Sequence, residues 1–457
     1  MLTRRRFLRR GAVATTMMWP GGILPMALAQ SNAASSTDDY RALVCVLLAG
    51  GNDSFNMLVP ADQDSHAGYA SLRADLALPR DELLPLSSSG VDDRSFGLHP
   101  GMPGLQRLYA ENKAAFIANT GTLLEPMDTG RLTNDLMSLP LGLFSHSDQI
   151  QQWQSARSDL RIAEGWGGRA ADLLGAVNTP GGISMSISLS GNNVFQSGAT
   201  TVPYAISASG DGAPALNGYG ALGRRGGVVT DAIDEILSSP QGQILGAEYA
   251  ESFAASLASQ AFFVDALNSA GELPTSFSDS SFSAALRQIA RVINARNALG
   301  AKRQTFFITV GGWDHHDELL ANQAGMLPMI DTGLVEFQAA MDALGVGERV
   351  TTFTISDFGR TLTSNGRGSD HGWGGHHIVV GGAVKSGEIY GDYPDIYPGN
   401  PLDVGRGIYA PTTSADEYFA ELALWFGVSG SELATVIPNI GRFYDISNPV
   451  PPLGFLG

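Results

Sequence analysis

The sequence is short of the features that mark several common functional classes. It has a single cysteine, Cys45, so no intramolecular disulfide framework can form. Charged residues make up only 16% of the chain, and 28 Lys and Arg face 45 Asp and Glu. That deficit argues against nucleic acid or an anionic membrane as partner, since both demand positive surface. No apolar run reaches the ~20 residues of a membrane span; the run near the start is broken by Pro20, Gly21, Gly22 and Pro25. The HExxH of zinc proteases, a CxxC zinc module and the G-x-S-x-G elbow of serine hydrolases are all missing. The spaced glycines of "GYGALG" (218–223) follow no clear strand, so they do not support a nucleotide-binding loop.

What is present begins with the opening segment. Thr3-Arg4-Arg5-Arg6-Phe7-Leu8-Arg9 fits the twin-arginine export pattern, and Ala27-Leu28-Ala29 supplies a small-x-small cleavage site. Cleavage after Ala29 removes five arginines and no acid, leaving 23 basic against 45 acidic residues. A periplasmic or secreted protein is expected, with the export machinery as a partner and no stable membrane span. Residues 30–40 read as a flexible polar leader, 41–445 as the main domain and 446–457 as a Pro-rich tail.

The pattern along the main domain is α/β. "RALVCVLLA" (41–49) is a continuous apolar run closed by Gly50-Gly51, as expected of a central strand buried on both faces. Residues 102–112 read as a helix and 113–121 as the next strand, suggesting a βαβ unit. From about 180 to 300 the pattern turns mainly helical, as an insertion or cap would. Strand–helix alternation then resumes with "TFFITV", a helix around 323–345, "VTTFTIS", "HHIVV" and a late helix at "ADEYFAELALWF". A mostly parallel central sheet flanked by helices is expected.

Three aspartates stand just past strands: Asp53 after "LVCVLLAGG", Asp314 after "TFFITVGGW" and Asp357 after "TTFTIS". Functional groups of open α/β sheets gather at such carboxyl ends, so the three could share one cleft. One such Asp alone would read as a helix cap or turn residue. Five of the eight histidines lie between 315 and 377. Histidine with carboxylate suits a divalent metal, zinc first, with manganese, calcium or magnesium as other candidates. Asp314 and His316 are candidate ligands, joined by His371, His376 or His377. The bland alternative is a Gly-rich surface loop whose histidines pack on Trp373.

The segments "LLAGGNDSFNMLVP" (47–60), "LHPGMPGLQRLYAENKAAFIANTG" (98–121), "SHSDQIQQWQ" (145–154), "GGWDHH" (311–316), "SDFGRT" (356–361) and "SDHGWGGHHIVVGGAVKSGEIYGDYP" (369–394) resemble the DUF1501 family. That family looks like a branch of the alkaline phosphatase-like superfamily of phosphatases, sulfatases and phosphoglycerate mutases. The resemblance implies metal ligands at Asp53, Asp314, His316, Asp357 and His371, and a nucleophile at Ser145, with Ser147 as understudy. His146 would take acid–base work, and Arg360 would steady an anionic substrate by hydrogen bonding. The implied activity is metal-dependent hydrolysis of a phosphate- or sulfate-type ester, small or polymeric. One departure stands out: superfamily enzymes carry Asp-His-Gly where this chain has Asp357-Phe358-Gly359, and Phe358 cannot ligate. No C/S-x-P-x-R sulfatase signature occurs either. The alternative is an exported binding or assembly protein that keeps the fold with a structural metal or none.

Overall fold

The apolar runs assemble into one large sheet. The structure, a computed structural model, describes residues 39–87, 94–179, 183–210, 212–213, 216, 218–220, 224–239 and 243–457. The expected signal peptide and nearly all of the polar leader lie outside the described residues. The strands are β1 (Arg41–Leu48), β2 (Ala114–Gly121), β3 (Ser186–Ser188), β4 (Tyr204–Ala205), β5 (Arg303–Val310), β6 (Val350–Ser356), β7 (Gly375–Val380), β8 (Ile389–Tyr390) and β9 (Thr413–Ser414). They run in the order β8-β2-β7-β6-β1-β5-β3-β4, with β9 also paired to β2. Every pairing is parallel except those of β7, which is antiparallel to β2 and β6. The α/β class, with a mostly parallel sheet between helices, is as expected.

One topological expectation needs correcting. β1 and β2 do not pair as a simple βαβ unit, because β6 and β7 lie between them. The local pattern of a strand records its burial and carries no record of its neighbour.

β1 is sandwiched on both faces. Val44, Val46 and Leu48 enter one core cluster, while Leu43, Cys45 and Leu47 enter the other. The first face is covered by helices Pro103–Ala110, Ser281–Asn294 and Leu319–Ala343, the second by His146–Ser155, Trp166–Leu174 and Ala415–Phe426. Each buried Val or Leu contributes roughly 1.5–3 kcal/mol, so a charge at Val46 would disrupt the sheet at its centre. The Ala415–Phe426 helix starts at a Ser414/Glu417 capping box and stops at Gly427, whose φ is +118°. Between β4 and β5 come the helices Arg224–Ser238, Ile244–Ser269 and Ser281–Asn294. At the end of the chain Phe455 is fully buried, and Glu421 accepts the backbone N–H groups of Leu453, Gly454 and Leu456. No helix among the described residues is long and apolar enough to cross a membrane.

Leu48 is level with both Val310 of β5 and Ser356 of β6. Three adjacent parallel strands therefore finish at one edge, with Asp53, Asp314 and Asp357 in the segments that follow.

Candidate metal centre

The chain leaves β1 through glycines because nothing larger fits. Gly50 has a φ of +123°, and a Cβ there would lie 2.4 Å from the Asp314 backbone nitrogen. Its N–H instead donates to Asp357 Oδ1 at 2.9 Å, which fixes that carboxylate from behind. Asp357 is almost wholly buried. Burial pushes its carboxyl above the usual range, against the hydrogen bonds from Gly50 and His146.

Three imidazoles surround Asp314, each held from its far side. His146, the first residue of helix His146–Ser155, places Nδ1 2.6 Å from Asp357 Oδ2. His316 places Nδ1 3.1 Å from Asp370 Oδ1. His371 places Nδ1 2.9 Å from the Phe144 carbonyl oxygen. A carbonyl or ionised carboxylate can only accept, so each Nδ1 carries a proton, and in the neutral ring each Nε2 then presents a lone pair. Those lone pairs converge. His146 Nε2 lies 3.4 Å from Asp314 Oδ2, while His316 and His371 Nε2 lie 3.1 and 3.4 Å from Asp314 Oδ1. The last two nitrogens are 3.1 Å apart.

Facing lone pairs and a carboxylate repel unless something positive lies among them. Arg360 meets part of that need: its guanidinium, fully buried, donates to Asp314 Oδ1 at 2.5 Å and to the Gly50 carbonyl at 3.3 Å. It is anchored behind by the Ser369 carbonyl and hydroxyl. Burial acts to raise the Asp314 carboxyl, but Arg360, through its hydrogen bond and its charge, leads the groups that hold it below the usual range. For His371, burial leads and lowers the ring from its ordinary value.

The donor set fits a divalent ion. Neighbouring ligand atoms of a tetrahedral zinc are about 3.3 Å apart, given metal–nitrogen and metal–oxygen bonds near 2.0–2.2 Å. Four of the separations, measured to one or the other oxygen of Asp314 and between His316 and His371, span 3.1–3.4 Å. Among the described residues, His146, Asp314 and His371 form a group whose ligand atoms all lie within 4.8 Å of one another. The backing of each imidazole by a carboxylate or carbonyl is the arrangement that orients metal ligands from behind.

The other residues singled out from sequence fall in different places. Asp53 is fully buried and its Oδ2 is held by Arg73 at 2.7 Å and by the Ser369 hydroxyl at 3.3 Å. It stands behind Arg360 as part of the support. Ser145 precedes the His146–Ser155 helix without capping it through its side chain, and its hydroxyl lies 3.2 Å from that of Ser147. His376 and His377 lie within β7 and are buried. Phe358 packs at a tilt against both His146 and His371, at ring distances of 4.9 and 4.5 Å, while those two rings meet each other edge-on at 4.5 Å. Sequence reasoning missed Asp370 and the Phe144 carbonyl, which hold two of the three rings. Asp370 alone left a trace, as the neighbour of His371 in "SDH".

Residues 232–437 match the family profile described as "Protein of unknown function (DUF1501)". That region holds Asp314, His316, Asp357, Arg360, Asp370 and His371, while Asp53, Ser145 and His146 precede it. No curated protein matches the sequence. Among solved structures the chain is similar to the lipoteichoic acid synthase LtaP from Listeria monocytogenes, at 10% identity and a TM-score of 0.30, covering 82% of this chain and 75% of that one. A likeness at that score has no bearing on activity.

Proposed function

We propose that this DUF1501 protein is an exported, metal-dependent hydrolase of phosphate- or sulfate-type esters, with one ion held by His146, Asp314, His316 and His371. The observation that carries the reading is the convergence of three Nε2 lone pairs on Asp314, each ring fixed from behind. A divalent ion there would supply Lewis acidity and positive charge for an in-line displacement. Arg360, buried and already paired with Asp314, would add a fixed positive charge behind that carboxylate without touching the ester. Ser145 is the nucleophile assigned to the site. It sits at a helix N-terminus, where the macrodipole favours negative charge on its oxygen. Its hydroxyl also hydrogen-bonds Asp148, whose carboxylate is held below its usual range first by Arg161. Asp148 is therefore a weak acceptor for the Ser145 proton. Phe358, which cannot ligate, packs against two ligand rings at the position where the resemblance expects a histidine, which supports one ion rather than two.

A second reading, a binding or assembly protein, is favoured by one observation: the Arg360–Asp314 pair neutralises Asp314 without any ion. Elemental analysis of protein purified without a histidine tag separates the two. One equivalent of metal, lost in a folded Asp314→Ala variant together with turnover of an aryl phosphate or sulfate, supports the hydrolase. Metal-free protein that folds and turns over no ester would overturn it.

A further inference from the structure

A cavity of about 670 Å³ opens beside the metal centre. Its wall includes Leu132, Met137, Leu139, Leu143, Phe144 and Trp373, with Val404 also lining it. That volume lies within the ~300–1,000 Å³ of small-molecule sites. The cavity and the imidazole cluster share chain segments. Phe144 lines the cavity, and its carbonyl accepts from His371 Nδ1 at 2.9 Å. Trp373 follows His371 by two residues, and Phe144 precedes His146 by two. Phe144 has a φ of +72°, an unusual conformation for an aromatic residue. The strain is retained where one residue serves both the cavity wall and a ring of the cluster.

The wall is poor in unmet polar groups. Trp373 Nε1 donates to the Thr122 carbonyl, the Thr133 hydroxyl donates to Thr129 and Gly130, and Asp403 Oδ1 accepts from the Gly405 and Gly407 N–H groups. Among the described residues no Lys or Arg lines it, and Asp135 and Asp403 are its only charged residues. A second anionic group would find no counter-charge there and would meet the Asp135 and Asp403 carboxylates instead, while most of the remaining wall is apolar. We infer that the cavity receives the uncharged apolar part of the substrate, which makes the substrate an alkyl or aryl ester of phosphate or sulfate with a single anionic head. The inference rests on the hydrolase reading for the head and on the cavity for the tail.

Titration calorimetry with methylphosphonate and octylphosphonate, on metal-loaded protein, tests it, with 2-naphthol as an apolar probe lacking an anion. Octylphosphonate should bind at least about ten-fold tighter than methylphosphonate, since several buried methylenes add to its affinity. Leu139 and Val404 are about half exposed, so the double variant L139E/V404E should still fold. It should shrink the gap to within about three-fold by making the wall polar, while methylphosphonate affinity and metal content stay unchanged. Equal binding of the two phosphonates by the unaltered protein would overturn the inference and leave the hydrolase reading standing. If neither phosphonate binds, but 2-naphthol does and is lost in the double variant, the hydrolase reading fails and the apolar cavity site survives.

Discussion

Two adjacent histidine groups in one stretch of chain meet opposite fates. His371 and its partners His146 and His316 keep 26–46% of their side chains exposed, and all three Nε2 atoms face Asp314. His376 and His377, five and six residues on, are 1% and 3% exposed. Strand alternation in β7 sends them to opposite faces of the sheet. His376 accepts the Asn119 N–H on Nδ1 and stacks on Tyr393, while His377 packs between Trp153 and Tyr418. Burial lowers both rings to about 3, so they stay neutral, and neither Nε2 has a partner among the described residues. The same contrast separates His315, 3% exposed, from its neighbour His316. Metal-capable composition marks a region; only backing by an acceptor and a shared focus makes a ligand.

The sharpest way to break that contrast is to remove the focus. Asp314→Ala should reduce bound metal from one equivalent to none and abolish ester turnover, with an unchanged circular dichroism spectrum. His377→Ala should do the reverse. It leaves metal content alone and costs about 2–4 kcal/mol in denaturant unfolding, as truncation of a large core side chain does. Metal loss in His377→Ala without loss of stability would erase the distinction between the two groups.

A further buried titratable group extends the comparison to an acid. Asp416 opens the Ala415–Phe426 helix at 1% exposure, with Oδ1 unpartnered. Burial, aided by the Glu417 charge and opposed by Arg442, raises its carboxyl to about 7. The folded state therefore binds this proton more tightly than the unfolded chain. The resulting stability is complete below the ordinary carboxylate range and is lost as pH rises to about 7, roughly 4 kcal/mol by linkage. Asp416→Asn should flatten the decline in unfolding free energy between pH 5 and pH 8. An unchanged slope would show that Asp416 is ionised in the fold.

How much of this was legible in sequence differs between frame and site. The β1 run expected at 41–49 is observed at 41–48, and the strand expected at 113–121 at 114–121, because burial on both faces leaves a continuous apolar signal. Gly50-Gly51 and Gly311-Gly312 marked where two strands stop, so the placement of Asp53, Asp314 and Asp357 at one edge could be anticipated. Sequence did not show that Asp53 is taken by Arg73, or that Asp357 backs His146. Both depend on pairings across tens or hundreds of residues that leave no local pattern. The Phe144 carbonyl was beyond reach entirely, since a backbone oxygen has no residue code.

The finest prediction concerns that backing. Asp370 touches no other member of the cluster's centre; its Oδ1 meets only His316 Nδ1 and Asn365, and its Oδ2 pairs with Arg406. Asp370→Asn is nearly isosteric, but the amide can present an N–H to His316 Nδ1 and so favour the tautomer whose Nε2 carries the proton. A ligand that must first shift its proton binds metal less well, by about 10–100-fold for lost orienting groups of this kind. Competition with a chelator of known affinity would read this loss, while Asn365→Ala, which spares the carboxylate, should move it far less. If Asp370→Asn bound metal as tightly as the unaltered protein, His316 would be oriented by its backbone alone, and the difference between the open and buried histidines would reduce to exposure.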